Sequence, residues 1–244
     1  MTAAPNYDPV SLKILWDRLI SITDEGVSTL IRTAFSTVVR EAYDLSVVLL
    51  DTDGELLAQG TQSIPSFTGS APSTLAHMLA RFPPGSLSPG DVIVTNDPWM
   101  GTGHTYDINV MAPVFRQGRI VAYALSVTHL PDIGGQGFGG EATEIYQEGL
   151  RLPVLKLMRG GKLDQMLIDL LRVNVRVPEQ VIGDVMANVA CVGVLDRQLN
   201  AFMDDYDVAD ITPLSRQIRA FSERALRGRI AEMADGTYPG KMTI

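Results

Sequence analysis

The chain is poor in the residues that most often carry chemistry, with one cysteine and three histidines among 244 residues. A single cysteine, Cys191, excludes an internal disulfide framework and fits a reducing compartment. It stands in the apolar run Ala187-Asn188-Val189-Ala190-Cys191-Val192-Gly193-Val194, where it reads as a small buried hydrophobe, not a nucleophile. Basic residues number 20 against 28 acids, a net charge of −8. No basic stripe is available to neutralise phosphates, which excludes a nucleic-acid partner. No apolar run approaches the ~20 residues needed to span a bilayer, and residues 1–9 lack the basic and apolar blocks of a secretion signal. The expected location is the cytoplasm, with no membrane partner. Hydrophobic residues make up 45% and charged residues 20%. That balance is slightly apolar for a soluble chain and suits one that buries a face against a partner. The length allows one large domain or two small ones around a sizeable core.

What is present is clear periodicity. Asp8-Pro9 reads as a helix cap and first helical residue. Val10, Leu12, Leu15, Leu19, Ile22, Val27, Leu30, Ile31 and Phe35 then recur at helical spacing, with Gly26 as a point where the helix splits or bends. Two apolar runs, 44–51 and 55–58, flank Thr52-Asp53-Gly54 and predict a β-hairpin. A short helix is expected over 73–82, with His77 as a packed or partly exposed helix residue. A buried strand is expected over 91–95. A second hairpin pairs 109–115 with 119–129 around Gln117-Gly118. From 163 to 202 the pattern is helical, interrupted at Pro178, and a last helix covers about 213–233. Residues 241–244 look like a strand beginning, which a partner polypeptide or a continuation would complete. The expected fold class is α+β: a mixed, largely antiparallel sheet built from hairpins and packed with long helices. The expected division is a helix and β-hairpin metal-binding region at 1–160, with a mainly helical region at 161–244 packing on it.

Two of the three histidines fall in short segments that also carry carboxylates and glycines. His104 and Asp107 lie in Gly103-His104-Thr105-Tyr106-Asp107-Ile108, and His129 lies in Val127-Thr128-His129-Leu130-Pro131-Asp132-Ile133-Gly134-Gly135. Imidazole nitrogen with carboxylate oxygen is a ligand set that Zn, Mn or Fe accepts. The alternative is that each histidine is a hydrogen-bonded core or surface residue. The two segments flank one hairpin, before its first strand and at the end of its second, so antiparallel pairing brings them together. The loop 134–140 (Gly-Gly-Gln-Gly-Phe-Gly-Gly) lacks the lysine and framing elements of a phosphate cradle. It reads as an active-site flap or as a plain irregular loop. Glu141, Glu144 and Glu148 read by default as solvated acids, one of which could support the site.

These two segments, with Asn96-Asp97-Pro98-Trp99 and Glu144-Ile145-Tyr146-Gln147-Glu148-Gly149-Leu150-Arg151-Leu152-Pro153, resemble the hydantoinase B/oxoprolinase family. Arg32-Thr33-Ala34-Phe35-Ser36 and Tyr43-Asp44-Leu45-Ser46 are also similar to its opening. The family comprises B-type subunits of ATP-dependent hydantoinases, the matching half of 5-oxoprolinase, caprolactamase, and related subunits of acetone and acetophenone carboxylases. The resemblance implies a divalent metal on Asp44, His104, Asp107 and His129; Asp44 comes from the resemblance alone. It also implies an A-type partner that binds ATP and activates a small-molecule substrate by phosphorylation. A cyclic amide such as a hydantoin or 5-oxoproline would then be opened at the metal site. A ketone carboxylase subunit and a non-catalytic scaffold subunit are the alternatives. Family members run to twice this length or more, so the chain corresponds to their N-terminal portion, and a separate chain or a continuation would supply the rest. Departures at Gly101-Thr102-Gly103 and Leu130 bear on the substrate. Asp132, three residues after His129 but beyond Pro131, is expected to serve catalysis by orienting His129 or a bound water.

Overall fold

Asp8 opens the first helix as its sequence predicts: its carboxylate accepts the Val10 and Ser11 amides at 2.9 and 3.1 Å, and Pro9 takes the first helical position, where no N–H is needed. In this computed structural model, which describes residues 7–242, the first half comprises α1 (Pro9–Thr33), α2 (Thr37–Arg40), β1 (Leu45–Leu50), β2 (Leu56–Gln59), α3 (Pro65–Arg81), β3 (Val92–Thr95) and β4 (Asp107–Arg116). Then follow β5 (Arg119–His129), α4 (Ile145–Glu148), β6 (Leu155–Arg159), β7 (Lys162–Leu163), α5 (Gln165–Asn174), α6 (Pro178–Asp205) and α7 (Thr212–Ala231). No helix among the described residues is long and apolar enough to cross a membrane.

The strands form one sheet in the order β2-β1-β5-β4-β3-β6-β7, with every pairing antiparallel. Both faces are covered, so β1 is buried along its whole length and is apolar at every position but Ser46. Val47 and Leu49 face a core shared with α1 and α6. Val48 and Leu50 point the other way, into a smaller core under Phe67, Leu75 and Met78 of α3. Helix, sheet and helix thus make three layers.

Three expectations from the sequence need correction. Gly26 does not split α1, which runs unbroken from Pro9 to Thr33. A Cβ there would lie 3.0 Å from Leu195 Cδ2 and Val47 Cγ1, so the bare backbone lets the helix close on α6 and β1. Helix α3 begins at Pro65, not near Ser73. Pro72 reads as a breaker, but Phe67, Thr68, Ala71, Thr74, Leu75 and Met78 keep one buried face across it, and burial outweighs the lost hydrogen bond. Strands β6 and β7 were not expected. Their signal is Gly160-Gly161, whose φ values of 54° and 80° make the tight turn between them. Of the strand expected at 241–244, Lys241 and Met242 belong to no regular element, while Thr243 and Ile244 lie outside the described residues, as do residues 1–6.

The register of β4 on β5 is continuous from Asp107 opposite His129 to Val114 opposite Ala122, and then shifts by a bulge before the turn. Gln117 and Gly118, at φ 49° and 77°, supply the left-handed pair that a two-residue hairpin turn requires. At the same end of the molecule, Asp51 fastens the β1–β2 turn to α7. Its carboxylate accepts the Asp53 and Glu55 amides, Ser215 Oγ and Arg219 Nη1, the last two at 2.7 Å.

Burial alone would raise the Asp51 pKa, but the hydrogen bonds from Arg219 and Ser215 outweigh it and hold the carboxyl below its usual range. A depressed folded-state pKa means that this stability is complete above the unfolded value of about 3.9 and is lost as pH falls through the folded value. We expect Asp51→Asn to lower stability by about 3 kcal/mol at neutral pH, read by chemical denaturation, with the two proteins converging in acid. A constant gap between them across that acid range would mean that the charge of Asp51 is not what holds α7.

Candidate metal centre

The site is built by strand register. On β5, His129 points to the α3 side of the sheet, as Val127 and Leu125 do. Asp107 is its direct partner on β4. Asp44 lies on the other flank, one step before β1, and its carbonyl accepts the His129 amide at 3.1 Å. Side chains opposite one another on adjacent antiparallel strands have Cβ atoms about 5 Å apart, so the three donors stand abreast across β1, β5 and β4. His104 comes from the turn before β4, and its ring centroid is 4.9 Å from that of His129.

His104 Nε2 and His129 Nδ1 approach the same oxygen, Asp107 Oδ1, at 3.0 and 3.2 Å. Asp44 Oδ2 is 3.8 Å from His129 Nδ1. One ligand atom from each of His104, Asp107 and His129 fits within a mutual span of 4.8 Å. Burial would raise the Asp107 pKa, but the two histidine hydrogen bonds hold it below the ordinary carboxylate value. The same hydrogen bond raises the pKa of His104 against the opposing effect of burial. Burial also pushes Asp44 up. The second oxygen of Asp107 is buried without a hydrogen-bond partner, an arrangement that is costly for an anion unless a cation completes it. The donor set and this orphaned oxygen fit a divalent ion.

The surrounding loops are pinned by polar side chains. Glu148 accepts the Thr105 amide and hydroxyl at 3.0 and 3.2 Å, so of the three acids after the glycine loop it is the one beside His104. Asn96 donates to the carbonyls of Thr105 and Leu150 and accepts the Leu152 amide. The Asp132 side chain does not reach His129 with any of its hydrogen bonds. It binds Arg176 through the guanidinium at 2.7 Å and through the backbone amide, and it accepts the Gly134 amide at 3.1 Å. Arg176 also donates to the carbonyls of Gly134 and Gly135, which ties the start of the glycine loop to the α5–α6 connection. Nothing around Arg176 in the sequence marks it for this task. Phe138, at the centre of the loop, sets its ring edge against His129 and Tyr106, 5.1 and 5.4 Å between centroids. A cavity of about 550 Å³ lies instead at the hairpin tip, lined by Arg116, Arg119, Asp207 and Asp210, and holds none of these groups. Cys191 is fully buried and pushed up to about 12 by burial, so it has no part in the chemistry.

We expect Asp132→Asn to speed amide hydrogen exchange at Gly134 and Arg176 by about tenfold or more, because the loop loses its charged anchor. Metal content should stay at the wild-type level. Exchange rates equal to wild type would show that Arg176 holds the loop without Asp132.

A family model described as hydantoinase B/oxoprolinase matches residues 8–244. The chain is 33% identical over 236 residues to the caprolactamase subunit beta of Pseudomonas jessenii, a match that covers 96% of this chain and 40% of that one. It is 30% identical over 244 residues to the 5-oxoprolinase of Saccharomyces cerevisiae, covering 94% and 19%. The crystal structure of the ATP-dependent caprolactamase from Pseudomonas jessenii superposes with a TM-score of 0.86 at 31% identity, over 95% of this chain and 40% of that one. The chain spans about two-fifths of the caprolactamase subunit and one-fifth of the 5-oxoprolinase. Helices, sheet and histidine segments all fall within the matched region, and the chain belongs to the hydantoinase B/oxoprolinase family.

Proposed function

We propose that the chain is the metal-bearing N-terminal portion of a B-type subunit in an ATP-dependent amidohydrolase that opens a cyclic amide such as a hydantoin or 5-oxoproline. An ATP-binding A-type subunit is its partner and activates the substrate by phosphorylation. The observation that carries this reading is the convergence of His104, Asp107 and His129 within 4.8 Å, flanked by Asp44 and containing a buried, unpaired Asp107 oxygen. The relatives support the reaction class: the matched proteins are named as a caprolactamase and a 5-oxoprolinase.

Asp44, His104, Asp107 and His129 would hold the ion. A divalent ion bound there supplies Lewis-acid polarisation of an amide or phosphoryl oxygen. The chain's own groups set the conditions. Asp107 Oδ1 stands within 3.0 and 3.2 Å of one nitrogen of each imidazole, so the three donor atoms already face one point. Asp44 and Asp107 add negative charge that favours a cation over neutral occupants. The loop 134–140, anchored at its start by Arg176 and carrying Phe138 against His129, would close over a bound substrate. That loop has no lysine with which to cradle a nucleotide phosphate, which supports placing ATP on the partner.

We expect His104→Ala and His129→Ala each to abolish stoichiometric binding of zinc, manganese or iron, measured by elemental analysis, with the circular dichroism spectrum unchanged. Activity in the assembled enzyme should fall with the metal. Either variant keeping full metal and full turnover would remove these residues from the site. A ring-opened product formed without bicarbonate is the expected outcome of product analysis, whereas bicarbonate uptake would assign the site to a ketone carboxylase.

The chain purified without any partner should cleave no ATP. Sustained ATP hydrolysis by the chain alone would overturn the division of labour between two subunits.

A further inference from the structure

Tyr106 stands between His104 and Asp107 in sequence and against both imidazoles in space, yet nothing above gives its hydroxyl a role. Its ring stacks on His129 with centroids 5.3 Å apart and planes at 14°, and on His104 at 5.9 Å and 26°. The residue is only 3% exposed, and its hydroxyl is buried with no hydrogen-bond partner. An unpaired buried hydroxyl is a net cost to the fold, and phenylalanine would supply the same stacking without it. A hydroxyl that costs stability where it stands, on a ring packed against both imidazoles, invites a partner that arrives with the ligand.

Phe138 lies against this residue. Its ring meets Tyr106 and His129 edge-on, at 74° and 88°, while Phe138 itself is 75% exposed. Around it, Gly137, Gly139 and Gly140 have no atom within 4 Å of where a Cβ would stand, so their backbone is not packed down. The preceding residues are held differently: Gly134 and Gly135 by Arg176, and Gln136 by the Gln147 carbonyl. The stem of the loop is fixed, and the ring rests on the site as a removable cover.

We propose that Tyr106 is a substrate-binding residue: when Phe138 lifts, the Tyr106 hydroxyl donates a hydrogen bond to an oxygen acceptor on the cyclic-amide substrate bound beside His104 and His129. This rests on the reading of the site as the place where a cyclic amide binds. The hydroxyl keeps its proton throughout, and no bond to it is made or broken. Its contribution is selective, because a ligand that buries the hydroxyl without offering an acceptor gains nothing from it.

The test has a substrate-free arm and a kinetic arm. In the chain by itself, Tyr106→Phe should raise the thermal midpoint by about 2–4 °C, the gain from removing one unpaired buried hydroxyl in a domain of this size. Zinc content should not change. In a Phe138→Ala background the same substitution should give no gain, since water then reaches the hydroxyl. Tyr106→Phe no more stable than wild type would show that the hydroxyl already has a partner, and a gain that persists without Phe138 would show that the ring is not the cover; either result overturns the proposal. In the enzyme assembled with its ATP-binding subunit and supplied with hydantoin, 5-oxoproline or caprolactam, Tyr106→Phe should lower kcat/KM about three- to tenfold, mainly through KM. An active wild type with an unchanged variant overturns the role of Tyr106 alone. A wild type inactive on all three ring amides overturns the functional reading and this proposal with it.

Discussion

The antiparallel register of β1, β5 and β4 is the constraint on which the site depends. Backbone hydrogen bonds, not the side chains, decide that Asp44, His129 and Asp107 stand abreast on one face. Left to themselves, two carboxylates in one small space would repel, and burial raises the pKa of Asp44. The cost of gathering them is met by the sheet, whose central strands are buried by helices on both faces. The donors are therefore arranged by the fold itself, and a cation placed among them would need little further ordering.

Around that rigid floor the supports differ in kind. Asn96 and Glu148 satisfy backbone groups in the turn that presents His104, so its position is tied to the 148–152 segment. Asp132 and Arg176 fasten the far side to the connection between α5 and α6. Most of these bonds run from a side chain to backbone, charge-assisted at Glu148, Asp132 and Arg176, and they hold a loop without filling it with apolar side chains. A stiff base with a lightly held cover is the combination that admits a small molecule and then shuts out solvent.

Much of this was legible in the sequence, for physical reasons. The two hairpins announce themselves by Asp53-Gly54 and Gln117-Gly118, because only residues tolerant of positive φ close such turns. From the second hairpin it followed that His104 and His129 would meet. Asp44 carried no such signal. Its position depends on β1 pairing with β5, a contact between strands distant in sequence, and only the family resemblance pointed to it. The true extent of α3 was hidden by Pro72, where local propensity and tertiary burial disagree. Arg176 was invisible because its value lies in reaching three carbonyl and carboxylate groups that only the fold assembles. The bond from Asp132 to Arg176 was hidden for the same reason: the partner is far along the chain.

The bulge between Val114 and Phe115 has a consequence for how this scaffold tolerates change in length. One extra residue in β5 is taken up there, toward the tip, and from Val114 down to Asp107 the pairing is undisturbed. The hairpin therefore has an expansion joint. Residues gained or lost beyond the bulge alter the tip at Gln117-Gly118, roughly 30–35 Å from the donors at about 3.4 Å per residue. A single residue gained between the bulge and His129 would instead turn the imidazole into the opposite core. Length variation, tags and grafted loops belong at the tip, and the lower half of the hairpin can vary only in steps of two.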